Sequence, residues 1–151
     1  MAVTPNTTFV SGAILTAAQQ NNFPRGIMGY AISTANTAVT TTEADITGMT
    51  ATFTGVANRL YRATFSCFYQ KSTTGRVFIT MTDGSNVAQN LTMQQTASGE
   101  FDSITAIFLF SVTGSTTRKF RASTEFGTAT IFGAPADGRT YSMTIEDIGG
   151  I

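Results

Sequence analysis

Glu100 and Asp102, two positions apart, are the residues of this sequence that come nearest to catalytic chemistry. On an extended segment both side chains leave the same face. With a carboxylate from a neighbouring strand, such a pair supplies the acid and base of glycoside hydrolysis. Ser98 and Gly99 stand directly before them and mark a surface turn, so a solvated loop is the expectation. Glu146 and Asp147 follow a strand-like stretch and have Arg59 and Arg62 as candidate ion-pair partners, a local structural role. Cys67 is the sole cysteine and lies between Phe65 and Tyr69 on an apolar face, which makes it a core residue rather than a nucleophile. The chain has no histidine, which removes histidine base catalysis and histidine metal ligation. No P-loop, dinucleotide fingerprint or Gly-x-Ser-x-Gly elbow occurs. The expectation is a protein without catalytic residues, metal or cofactor. Arg118-Lys119-Phe120-Arg121 is the one basic run. On a strand it splits, Lys119 and Arg121 to one face and Arg118 and Phe120 to the other, so nucleic acid is not an expected partner.

The elements that carry these residues follow a period of two. Tyr61, Ala63, Phe65, Cys67 and Tyr69 alternate with Arg62, Thr64, Ser66 and Gln70, the signature of a half-buried strand that Phe68 alone interrupts. Val77, Ile79 and Met81 repeat it before Asp83-Gly84-Ser85-Asn86, a hairpin turn from which Val87 to Gln94 returns. Ile104 to Val112 is apolar on both faces, with Ala106, Phe108 and Phe110 on one and Ile107 and Leu109 on the other; that pattern predicts a central strand covered twice. Further strands are expected around Met49–Phe53, Lys119–Phe126, Thr128–Phe132 and Tyr141–Ile145. Thr34 to Glu43 reads equally as a loop or an irregular edge strand. Eight or nine short strands at regular spacing predict an all-β fold, an antiparallel β-sandwich or jelly roll. Its expected core includes Phe65, Cys67, Phe108 and Phe110.

A chain of 151 residues is one domain by size and buries roughly 70% of its unfolded surface. With one cysteine, stability must come from packing or assembly. Charged residues are 12% of the chain and sum to zero, a balance that argues against nucleic-acid or acidic-membrane surfaces and favours life in an assembly. No apolar stretch approaches the ~20 residues of a membrane span, and the start lacks the basic region of a signal peptide. The expectation is a soluble, cytoplasmically made protein. Near the start, Thr16 and Gln19 form a capping box and begin a helix of one or two turns. Pro24 and Gly26 end it just before Ile27. The predicted division is an N-terminal arm, residues 1–26, and a body, residues 27–151; the alternative is an ordinary N-terminal turn packed on its own domain.

Four short motifs bracket most of the chain: Phe9-x-x-Gly12-x-Ile14-Leu15-Thr16-Ala17-Ala18-x-x-Asn21, then Pro24-Arg25-Gly26, then Ala57-Asn58-Arg59-x-Tyr61-Arg62, and Ile145-Glu146-Asp147-Ile148-Gly149. Together they resemble tailed-bacteriophage minor virion proteins, the capsid decoration, head-fibre and tail-fibre class. The resemblance implies a jelly-roll body assembled as a homotrimer and located in the virion. It also implies an N-terminal arm that docks on other virion proteins such as the major capsid protein. No catalytic residues are carried over. In this chain the arm's apolar anchors would be Phe9, Val10, Leu15 and Phe23, with Arg25 as a polar lock at the junction. A segment with one or two helical turns must be ordered by packing on something. The short lead before the body and the lack of a collagen-like, coiled-coil or β-helical shaft favour a decoration protein over a fibre tip. The competing reading is a tail-fibre or receptor-binding module that holds host surface glycan, with Tyr30, Phe101, Phe126 and Phe132 as the aromatics to inspect.

Overall fold

The computed structural model describes residues 12, 14, 16, 17, 20, 23–133 and 139–151. Among these residues ten strands run in the order β1 (Gly26–Ser33), β2 (Thr37–Val39), β3 (Ala44–Gly55), β4 (Arg59–Lys71), β5 (Gly75–Asp83), β6 (Ala88–Thr96), β7 (Phe101–Phe110), β8 (Gly114–Thr124), β9 (Ala129–Phe132) and β10 (Tyr141–Gly150). All pairings are antiparallel, in two sheets. The second sheet runs β3-β8-β5-β6. In the first, one edge of β4 carries β7, while its other edge pairs with β10 along the first half and β9 along the second. β1 and β2 complete that side beyond β10 and β9. Two facing sheets of β1-β10-β4-β7 and β3-β8-β5-β6 are the jelly-roll order, an all-β sandwich as the alternation predicted.

The core lies between the sheets. Tyr61, Ala63, Phe65, Cys67 and Tyr69 on the inward parity of β4 meet Val77, Ile79, Met81, Phe120 and Ala122 from the second sheet. Phe120 is wholly buried, its ring centroid 5.1 Å from that of Phe65 and 6.0 Å from that of Phe108. Phe110 is half-buried and stacks on Tyr61 at 5.8 Å. Each fully buried aromatic of this kind contributes about 1.5–3 kcal/mol, and its ring contacts add about 0.5–1.5 kcal/mol per pair.

Three expectations change. Ile104 to Val112 is not a central strand: among the described residues β7 pairs with β4 alone, so it lies at a sheet edge. Its inward residues Ile104, Ala106 and Phe108 are buried, whereas Ile107 and Leu109 face outwards and are exposed. A two-sided apolar pattern therefore arose here without two covered faces. Thr34 to Glu43 contains both alternatives, because the short strand β2 pairs with β9 and irregular backbone flanks it. The helix expected from Thr16 is not shown. Gln19 lies outside the described residues; among the described ones the Gln20 N–H donates to the Thr16 C=O at 3.0 Å and the Phe23 N–H to the Gln20 C=O at 3.2 Å. The hairpin turn after Asp83 forms as expected: its carboxylate accepts the N–H groups of Ser85 and Val87, each at 2.9 Å, and Asn86 adopts φ +65°.

Candidate functional site

The outward face of the first sheet is unusual in what it exposes. Alternation sends Tyr30 and Ile32 of β1 and Ile107 and Leu109 of β7 away from the core, a register shift between Ile27 and Gly29 brings Ile27 to the same face, and these five residues are 55–70% exposed. Register aligns them in cross-strand rows. Tyr30, Thr144, Thr64 and Ile107 form one row, and Ile27, Glu146, Arg62 and Leu109 form the next. Two apolar stripes thus flank a polar centre built from β10 and β4. Within that centre the Arg62 guanidinium donates to Glu146, with Nε at 2.8 Å, and Ser66 and Thr105 share a hydroxyl hydrogen bond of 3.2 Å. Scattered exposed apolar residues are ordinary on a protein surface; here they are aligned in two stripes.

Farther along the same face, where β4 changes partner from β10 to β9, the rings of Phe68, Phe101 and Phe132 cluster. Phe68 stands opposite Phe132 in one pairing and Ser103 in the other. Phe101 and Phe132 have centroids 5.5 Å apart, and the Arg139 guanidinium carbon lies 5.3 and 5.4 Å from them. Phe68, Phe101 and Arg139 line an open hollow of about 370 Å³. Of the four aromatics singled out for glycan contact, Phe101 and Phe132 meet in this cluster. Tyr30 belongs to the β1 stripe. Phe126 is exposed in the turn after β8, where its ring lies within reach of Gly75. Phe68 interrupted the sequence alternation, and it did so because its outward position carries a ring.

The segment that leads into β1 meets the sandwich at a buried ion pair. Arg59 opens β4, Asp147 lies near the end of β10, and they are 3% and 1% exposed. The Arg59 guanidinium donates to both Asp147 carboxylate oxygens, one at 2.7 Å, and its Nη2 also reaches the Phe23 C=O. The same carboxylate takes the Gly149 N–H at 3.0 Å. Gly26 has φ +80°, a left-handed conformation open to glycine, so the chain turns there as it enters β1. Arg25 and Phe23, offered as lock and anchor, are both exposed, and the hydrogen bond at this junction comes from Arg59. Phe9, Val10 and Leu15 lie outside the described residues.

The residues first considered for chemistry occupy structural positions. Glu100 stays exposed in the turn, whereas Asp102 points inwards and accepts hydrogen bonds from Gln94 at 2.6 Å and Thr96 at 3.0 Å. Burial raises the Asp102 pKa, but the Ser103 N–H and the Thr96 and Gln94 donors outweigh it and hold the carboxyl below its usual range. Tyr69 joins the network through Thr96, tying β4 and β7 of one sheet to β6 of the other. Cys67 is 3% exposed, and burial pushes its thiol up to about 12. The basic run splits as its parity required. Arg121 pairs with Glu43 at 2.7 Å and Asp45 at 2.9 Å, Lys119 pairs with Asp45 at 3.3 Å, and Arg118 turns inwards over the Phe110 ring at 4.8 Å. Glu146 and Asp147 take Arg62 and Arg59, the partners proposed for them. Lys71 escaped sequence reasoning although it shares the inward parity of Tyr69. It is 1% exposed, its ammonium donates to the Phe126 C=O at 2.9 Å, and burial pushes its pKa down.

No protein-family model and no curated protein sequence matches this chain. Among solved structures it is similar to an Eiger TNF from S. frugiperda, with TM-score 0.55 and 7% identity over 83% of this chain and 94% of that one. Murine APRIL matches with TM-score 0.53 and 8% identity over 80% and 98%. The PRD1 vertex protein P5 follows with TM-score 0.49 and 11% identity over 82% and 99%. At 7 and 8% identity the first two likenesses are likenesses of fold, and that fold is the two-sheet sandwich described above.

Proposed function

We propose that this chain is a non-enzymatic structural protein whose body assembles as a homotrimer through the β1 and β7 stripes of the first sheet, clear of the hollow beside Arg139. The observation that carries this reading is the pair of apolar stripes on β1 and β7 with a polar strip between them. Sealing both stripes against copies of the same chain removes about 25 cal/mol of unfavourable hydration per Å² of apolar surface. The stripes differ from each other, so the β7 stripe of one copy against the β1 stripe of the next is a head-to-tail contact, which forms a ring where its rotation closes, at a third of a turn for three copies. A ring leaves the Arg62–Glu146 pair and the Ser and Thr rows facing a shared axis where water remains. A face-to-face dimer buries that charged strip, at a desolvation cost the stripes must offset. Zero net charge and 12% charged residues fit a surface that is covered in use.

Within that class, the role we assign is capsid decoration in a tailed-phage virion, docked on other virion proteins such as the major capsid protein through residues 1–26. Support comes from the motif resemblance in the sequence. The test uses particles lacking the native protein. The full chain attaches, and a chain without residues 1–23 keeps its β-sheet oligomer but does not attach. Attachment of the truncated chain at wild-type level contradicts the docking role of the arm. A second reading, a receptor-binding module for host glycan, is favoured by one observation, the exposed aromatic hollow beside Arg139.

A further inference from the structure

The Phe68–Phe101–Arg139 hollow has a chemistry of its own. The outward cations carried by strands of the sandwich are matched with carboxylates: Arg62 with Glu146, Arg76 with Glu125, Lys119 with Asp45, and Arg121 with Glu43 and Asp45. Arg139 instead lies against the Phe101 and Phe132 rings, and among the described residues no carboxylate lies within ion-pair distance of it. The guanidinium lies over two rings, a cation–π contact that uses no carboxylate, and a guanidinium presents a fork of N–H groups suited to one. Beside it, Phe68 and Phe101 are more than half exposed and present flat apolar faces. At about 370 Å³ the hollow falls in the size range of small-ligand sites.

We propose that this hollow binds an acidic sugar, a pyranose ring carrying a carboxylate, as it occurs in cell-surface polysaccharides. The C–H face of the ring lies on Phe68 and Phe101, and its carboxylate meets the Arg139 fork. The hydroxyls remain towards the Ser103 and Thr130 side of the sheet and towards water. A carboxylate alone uses the fork and forgoes the rings; a neutral sugar uses the rings and leaves the guanidinium unmatched. Only the combination uses both. The proposal rests on the glycan reading above and is independent of the role of the arm.

The experiment is a heteronuclear NMR titration of the full chain with sodium glucuronate, with glucose and sodium acetate as separate arms. Light scattering is recorded on every variant. The expected result is saturable shifts at the Phe68, Phe101 and Arg139 signals with glucuronate, and at least tenfold weaker responses to glucose and acetate. Arg139→Gln should weaken glucuronate at least tenfold, and Phe101→Ala should weaken it while leaving the thermal unfolding midpoint nearly unchanged. Equal binding of glucose, indifferent to Arg139→Gln, overturns the acidic preference and keeps the glycan reading. No response to either sugar overturns both. A fall in assembly mass on Arg139→Gln or Phe68→Ala shows instead that a neighbouring copy fills the hollow, and that too overturns the proposal.

Discussion

Removing the carboxylate of Asp147 should cost more stability than any other single charge deletion in the body, and the neighbouring residue provides the control. Asp147 and Arg59 are 1% and 3% exposed, and the carboxylate also holds the Gly149 N–H. In Asp147→Ala the buried guanidinium loses this counter-charge, and breaking a buried pair from one side costs about 3–5 kcal/mol. For a chain of this length that is a fall of about 6–20 °C in the unfolding midpoint. Glu146→Ala breaks the Arg62 pair, whose side chains are 45% and 26% exposed, and should cost less than about 1 kcal/mol. Replacing both members of the buried pair, Arg59→Met with Asp147→Leu, should recover much of the single-variant loss, since no buried charge then lacks a partner. Urea unfolding followed by circular dichroism measures all four chains. Protein concentration is held fixed, because assembly couples apparent stability to concentration. An Asp147→Ala loss below about 1 kcal/mol, comparable to that of Glu146→Ala, would refute the reasoning.

Three further outcomes are expected. Cys67 in the folded chain should resist thiol reagents at pH 8 and react fully in denaturant. Its folded pKa of about 12 lies above the reference 9.0, so the unfolded chain sheds the proton first as pH rises. Wild type should therefore lose stability relative to Cys67→Ala above about pH 9, by at most about 1.4 kcal/mol per pH unit, and parallel pH profiles contradict this. Phe120→Ala, which empties the space between Phe65 and Phe108, should cost about 3–5 kcal/mol in the same urea assay. Phe108→Asp should give no folded protein, since it buries a carboxylate 7% exposed against Phe120; a soluble folded product counts against the core assignment.

Much of the fold was legible because parity is a strong signal where one face of a strand is buried. Tyr61 to Tyr69 alternate and lie where the alternation puts them, and the Asp83 turn follows from its own side-chain chemistry. Legibility failed where a residue answers to something outside the strand. Ile107 and Leu109 made β7 read as doubly covered, because an exposed apolar side chain and one under a second layer of the same domain have the same composition. Phe101 and Phe132 are far apart in sequence and meet through the pairings of β7 and β9 with β4, and Arg139, just before β10, comes to lie against both; no local pattern encodes this. Arg59 was legible as a partner for the acidic pair. Its second contact, with the Phe23 C=O, was not, since a backbone acceptor leaves no mark in residue type.

The proposed assembly is tested most directly by light scattering of the full chain at micromolar concentration, beside the Ile107→Asp/Leu109→Asp double variant. Both substitutions are on the exposed parity of β7 and leave the inward residues Ala106 and Phe108 in place. The account predicts a wild-type mass of about three times the 16.0 kDa chain and a folded double variant at or near 16.0 kDa. A wild-type chain that scatters as a 16.0 kDa monomer, or a double variant that keeps the wild-type mass, contradicts it.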